Sequence, residues 1–120
     1  MPILLANPPH TDTFGYSMPP PGLMRLGGWL RDAGITVELE DLAFRLAHGE
    51  VPAGDELGLA CAEFLLERMD RDRGPWVLGL STMGATLPVS LVIARIVREH
   101  CPGVPILFGG PGTTGCDELI

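Results

Sequence analysis

Four short apolar segments, separated by stretches with helical spacing, constrain this chain of 120 residues more than any other feature. The first, Ile3-Leu4-Leu5-Ala6, stops at Asn7-Pro8-Pro9, because proline has no N–H to give to a strand ladder. Leu23, Leu26, Gly27 and Leu30 then fall at i, i+3, i+4 and i+7, and Gly34 supplies a C-terminal stop, so a helix is expected over about 22–33. Ile35, Val37 and Leu39 alternate with Thr36, Glu38 and Glu40, the period-2 pattern of an edge strand with one solvated face. From Asp55 helical spacing returns through Leu57, Ala60, Cys61, Phe64 and Leu65, and it ends at Arg71-Asp72-Arg73-Gly74-Pro75. Trp76-Val77-Leu78-Gly79-Leu80 is apolar throughout, as a strand covered on both faces should be. Pro88 fits the first turn of another helix, whose stripe is Val89, Val92, Ile93, Ile96 and Val97. Val104-Pro105-Ile106-Leu107-Phe108 completes the alternation.

Strict β-α alternation with right-handed crossovers predicts an α/β, Rossmann-like (flavodoxin-like) parallel sheet of four strands with helices on both faces. In the flavodoxin order the fourth strand would lie at the sheet edge, yet its unbroken apolar run asks for a neighbour on each side. The expectation is therefore that residues 1–120 form one domain lacking its fifth strand, a fragment of a longer protein or a chain whose edge a partner covers.

Composition removes several function classes. The eight basic residues are all Arg against fifteen acidic ones, a net charge of -7, which argues against a phosphate-backbone partner. Without Lys, the chain has neither a Walker lysine nor a Schiff-base lysine. Cys61, Cys101 and Cys116 show no cluster or paired spacing and read as free thiols in a reducing cytoplasm. No run is long enough for a membrane helix, so a membrane association is not expected.

Ligands of an open parallel sheet bind beyond the carboxyl ends of its strands, where strand order reverses. That rule selects Asn7-Pro8-Pro9-His10, Ser81-Thr82-Met83-Gly84 and Gly109-Gly110-Pro111-Gly112 as the candidate site. Their small or rigid residues let a bulky, mostly neutral ligand approach the backbone. A dinucleotide would need Gly-x-Gly-x-x-Gly at the first turn, where Pro8, Pro9 and His10 stand instead. A receiver-like module would need a carboxylate where Asn7 stands, and a lysine that is absent.

Asn7-Pro8-Pro9, Met18-Pro19-Pro20-Pro21-Gly22-Leu23, Val77-Leu78-Gly79-Leu80-Ser81-Thr82-Met83 and Ile106-Leu107-Phe108-Gly109-Gly110-Pro111 recur here in an order that resembles the cobalamin-binding domain of cobalamin-dependent radical S-adenosylmethionine enzymes. The resemblance implies cobalamin as ligand, its nucleotide tail pushed into the sheet edge and its corrin over the strand ends. Ser81, Thr82 and Met83 would line the tail pocket, and Gly109 and Gly110 would give the tail passage close to the backbone. It further implies a parent enzyme in which a following domain holds S-adenosylmethionine and a [4Fe-4S] cluster, with cobalamin used for methyl transfer. No catalytic residue is expected within these residues, which would bind and orient. His10 departs from the Asp-x-His-x-x-Gly pattern, since Asp12 follows it; it reads as a solvated loop histidine, the cobalt having no protein histidine beneath it. Phe14 and Tyr16 either cap the corrin or pack their own loop. Glu38 and Glu40 read as a wet strand face, and Gly27 and Gly28 as points of close helix-sheet approach.

Overall fold

The computed structural model describes residues 2–9, 20–72 and 76–110. Four strands, β1 (Ile3–Asn7), β2 (Val37–Asp41), β3 (Val77–Ser81) and β4 (Ile106–Gly109), form one sheet in the order β2-β1-β3-β4. Every pairing is parallel, with Leu4 level with Glu38 and Leu78, and Leu78 level with Ile106. The connections are helices α1 (Pro21–Asp32), α2 (Leu42–Ala47), α3 (Leu57–Asp72) and α4 (Leu87–His100). This is the Rossmann-like parallel sheet anticipated from the alternation of apolar runs.

The two faces are covered unequally. Leu4, Ala6, Leu78 and Leu80 point to one face and are sealed by α3 and α4 through Leu57, Cys61, Leu65, Val89, Ile93 and Val97. Leu5 and Val37 point to the other and meet Leu23 and Leu30 of α1. Gly27 permits that approach, because a Cβ there would lie 3.2 Å from Leu39 Cδ2, whereas Gly28 faces open space and plays no such part. Leu26, expected in the buried stripe, is instead 43% exposed on the flank of α1. On β4, Ile106 and Phe108 pack into the α3–α4 core, while Leu107 points to the α1 side and is 58% exposed. Gly58 closes the α3–α4 contact, since an added Cβ would sit 2.6 Å from Val92 Cγ1. Burial in the core pushes the Cys61 thiol up to about 12, so it has no thiolate chemistry at neutral pH.

Two features were not read from the pattern. Helix α2 follows directly on β2, its first turn capped by the Asp41 carboxylate, which accepts from Phe44 N–H at 3.3 Å. The second is a correction: Glu38 stays partly exposed, but Glu40 is buried, so the two are not a wet face throughout. Their side chains share the face of Leu4 and Ala6, and α3 crosses it with Arg68. Glu40 is only 2% exposed and is held by Arg68 Nη1 at 2.6 Å and Arg45 Nε at 2.9 Å, while Arg68 Nη2 reaches Glu38 at 2.8 Å. Period-2 alternation reports only that one face is polar; it cannot distinguish water from a basic side chain delivered by a helix 28 residues away.

The same arginines close the sheet edge. In the parallel ladder the Thr36 carbonyl bonds β1, so the carbonyls of Val37 and Leu39 point outward. Arg31 Nη2 donates to Val37 O at 3.1 Å from the α1 side, and Arg68 Nη1 donates to Leu39 O at 3.1 Å from the α3 side. An edge so occupied does not invite another strand. Replacing Arg68 with Ala should lower the unfolding free energy in urea by about 3 kcal/mol, because it leaves the buried Glu40 one partner short. Arg45→Ala also removes a partner of Glu40, but from a side chain one-third exposed and with Arg68 still in place, so it should cost about half as much. Equal losses in the two variants would contradict this account of the edge.

Candidate functional site

The ladder register brings the carboxyl ends of all four strands to one side of the sheet, because Asn7 is level with Asp41 and Ser81 with Gly109. The chain passes from β1 to β2 over one face and from β2 to β3 over the other, so the order reverses between β1 and β3. The three sequence segments singled out for ligand binding therefore leave the sheet along one edge. His10 and Pro111 lie outside the described residues.

At the end of β1, Asn7 is half-buried and its Nδ2 donates to Asp41 Oδ1 at 2.9 Å. Asp41 thus ties the ends of β1 and β2 together while capping α2, a double role that the Asp-Leu-Ala-Phe order at a helix start hints at only for the cap. Pro8 and Pro9, directly after β1, are buried.

At the end of β3 three consecutive residues have different surroundings. Ser81 is half-buried, Thr82 fully buried and Met83 63% exposed. Thr82 N–H and Oγ1–H both donate to Gly109 O, at 2.7 and 2.9 Å. Met83 is pinned by Thr86, whose Oγ1 accepts from Met83 N–H at 2.9 Å and donates to Met83 O at 3.2 Å. Ser90 Oγ in turn donates to Thr86 O at 2.7 Å. Gly84 opens the 3-10 turn Gly84–Thr86 that leads into α4. Thr86 and Ser90 were not singled out from sequence; their spacing of four on a helix start was the available signal, and burial alone explains why both hydroxyls turn inward.

At the end of β4 the two glycines differ. A Cβ on Gly109 would meet nothing within 4 Å, so the space beside its backbone is open. Gly110 has φ +93, and a Cβ there would run into the Thr82 carbonyl oxygen. Gly109 leaves room for a ligand, whereas Gly110 is required by the protein's own backbone.

Among the described residues the rim carries no charged side chain apart from the engaged Asp41, and it offers small groups, a pinned backbone and an exposed thioether. Among the described residues no group of three or more His, Cys, Asp or Glu is placed to hold a metal ion, and no helix is long and apolar enough to cross a membrane. This surface suits a large, largely uncharged ligand that brings its own reactive centre.

Comparison with known proteins points the same way. Residues 9–120 match the family described as the B12 binding domain. The chain is 30% identical over 115 residues to the anaerobic magnesium-protoporphyrin IX monomethyl ester cyclase of Synechocystis sp., a match covering 92% of this chain and 20% of that relative. The chain thus spans about a fifth of the length of the relative it matches. No solved structure gives a significant match.

The unlike surroundings of the paired glycines predict unlike substitutions. Gly110→Ala should destabilise the fold by about 2–3 kcal/mol, from a positive φ and a blocked contact together. Gly109→Ala should stay within about 0.5 kcal/mol of the parent protein. Thermal melts of the two variants, measured side by side, check the difference.

Proposed function

Because the chain belongs to the B12 binding domain family, we propose that it binds cobalamin where β1, β3 and β4 end at Asn7, Ser81 and Gly109. The observation that carries this reading beyond family membership is the open approach to the Gly109 backbone beside the exposed Met83. In the proposed arrangement the nucleotide tail runs over the joined ends of β3 and β4, against Ser81 and Met83 and past the open side of the Gly109 backbone. The corrin lies over the strand ends, with Asn7-Pro8-Pro9-His10, Gly84 and Gly110-Pro111 around it. Cobalamin when bound supplies the cobalt-centred chemistry. The chain's own residues would hold and orient it.

The likeness of the strand-end segments to cobalamin-dependent radical S-adenosylmethionine enzymes supports a larger parent protein. There the domain would present cobalamin to a second domain holding S-adenosylmethionine and a [4Fe-4S] cluster, for methyl transfer in the cytoplasm. The match to one-fifth of a longer relative supports the same view. So does the contrast between the sheet edges. The outward carbonyls of β2 are occupied by Arg31 and Arg68, while β4 carries the apolar Ile106-Leu107-Phe108 with Leu107 exposed. We assign the β4 edge and the adjoining α1-side face to polypeptide of the same parent chain.

Purified protein mixed with hydroxocobalamin and then desalted should keep a red chromophore. Gly109→Val should weaken retention by about tenfold or more, through overpacking of the ligand's path, while its melting temperature stays that of the parent protein. A colourless parent protein, or one that retains yellow flavin in competition, would refute the assignment.

A further inference from the structure

The Thr82–Gly109–Gly110 junction does more than end two strands. Ser81 and Gly109 form the last register pair of β3 and β4, and the next residue of β3, Thr82, extends the ladder by one bond to Gly109 O. A second donor from the same residue, Oγ1, reaches the same carbonyl. Thr82 is 0% exposed, so its hydroxyl hydrogen is committed inside the protein and is not available to a ligand. Gly110 also lies against the Thr82 backbone, with the position of its missing Cβ 3.2 Å from Thr82 N and 3.3 Å from Thr82 C. Two donors draw the strand ends together, and the glycine lets them meet. The neighbour Met83 is held separately by Thr86, so Ser81 and Met83 project from a backbone pinned at consecutive residues.

We infer that Thr82 is a positioning residue, not a cofactor contact: by holding the Gly109 carbonyl it fixes the joined ends of β3 and β4, past which the nucleotide tail of cobalamin runs. The inference rests on the binding site proposed above. It separates one residue from the tail-lining group expected from sequence, leaving Ser81 and Met83 as contacts and making Thr82 the brace behind them. A brace beneath the tail's path should matter for a corrinoid that carries the tail and not for one that lacks it.

The test compares binding of hydroxocobalamin and of dicyanocobinamide, which has no nucleotide tail, to the parent protein, Thr82→Val and Thr82→Ser. Thr82→Val keeps the shape and the backbone N–H but removes the hydroxyl. It should lower the preference for hydroxocobalamin over dicyanocobinamide by about fivefold to tenfold, the worth of one hydrogen bond. Thr82→Ser, which restores the donor, should return the preference to within about twofold of the parent protein. An unchanged preference in Thr82→Val overturns the assignment, and so does an equal loss for both corrinoids, which would mark a merely structural threonine. Should Thr82→Val fail to fold, Thr82→Ala is judged by the same ratio. If the parent protein retains neither corrinoid, the binding site itself is refuted and the brace with it; retention with an unaltered ratio refutes the brace alone.

Discussion

The parallel ladder around β1 governs the rest of the molecule. β1 is bonded on both sides, to β2 and to β3, with Leu4 level with Glu38 and with Leu78. One such register sends Leu4 and Ala6 into the α3–α4 core and Leu5 toward α1, and a slip of one residue would exchange those faces. The same register levels the strand ends, and Asn7, Asp41, Ser81 and Gly109 become neighbours on one rim although they come from four separate parts of the chain. Packing and site geometry therefore share one cause.

Electrostatics completes what the ladder begins. The Glu40 carboxylate, buried on an edge strand beneath a helix-covered surface, would be costly to bury alone. Arg68 and Arg45 reach Glu40 from α3 and α2, and Arg68 and Arg31 also occupy outward carbonyls of β2. Glu40 and then Glu50, both hydrogen-bonded to Arg45, hold its guanidinium more firmly protonated. The guanidinium also lies 5.3 Å from the Phe64 ring centroid, so the charge is supported by packing as well as by ion pairs. The β2 edge is thus finished by the chain's own side chains.

Inward hydrogen bonds also shape the rim where the cofactor is proposed to sit. Asn7 to Asp41, Thr82 to Gly109 and Met83 to Thr86 each tie down backbone or side-chain groups behind the surface. What they leave outward is apolar or small: the Met83 side chain and the open side of Gly109. Among the described residues the rim is preorganised without presenting free charge, which suits a bulky neutral ligand whose chemistry is its own.

Hydrophobic period and turn residues were enough, from sequence alone, to establish the strands, three of the helices, the parallel class and the rim where the loops gather. These are local properties: Ile3–Ala6 and Val77–Leu80 cannot avoid burial, and Asn7-Pro8-Pro9 and Gly109-Gly110 cannot continue a strand. The short α2 escaped because six residues carry little periodic signal beyond the Asp41 cap. Only the tertiary structure decided that Glu40 is buried against Arg68, that Thr82 turns inward while Met83 turns outward, and that Gly109 and Gly110 serve different ends. Each of these depends on what another segment, 27 or more residues away, places opposite the residue. Such pairings follow from the register of a folded sheet and from no property of a residue and its immediate neighbours.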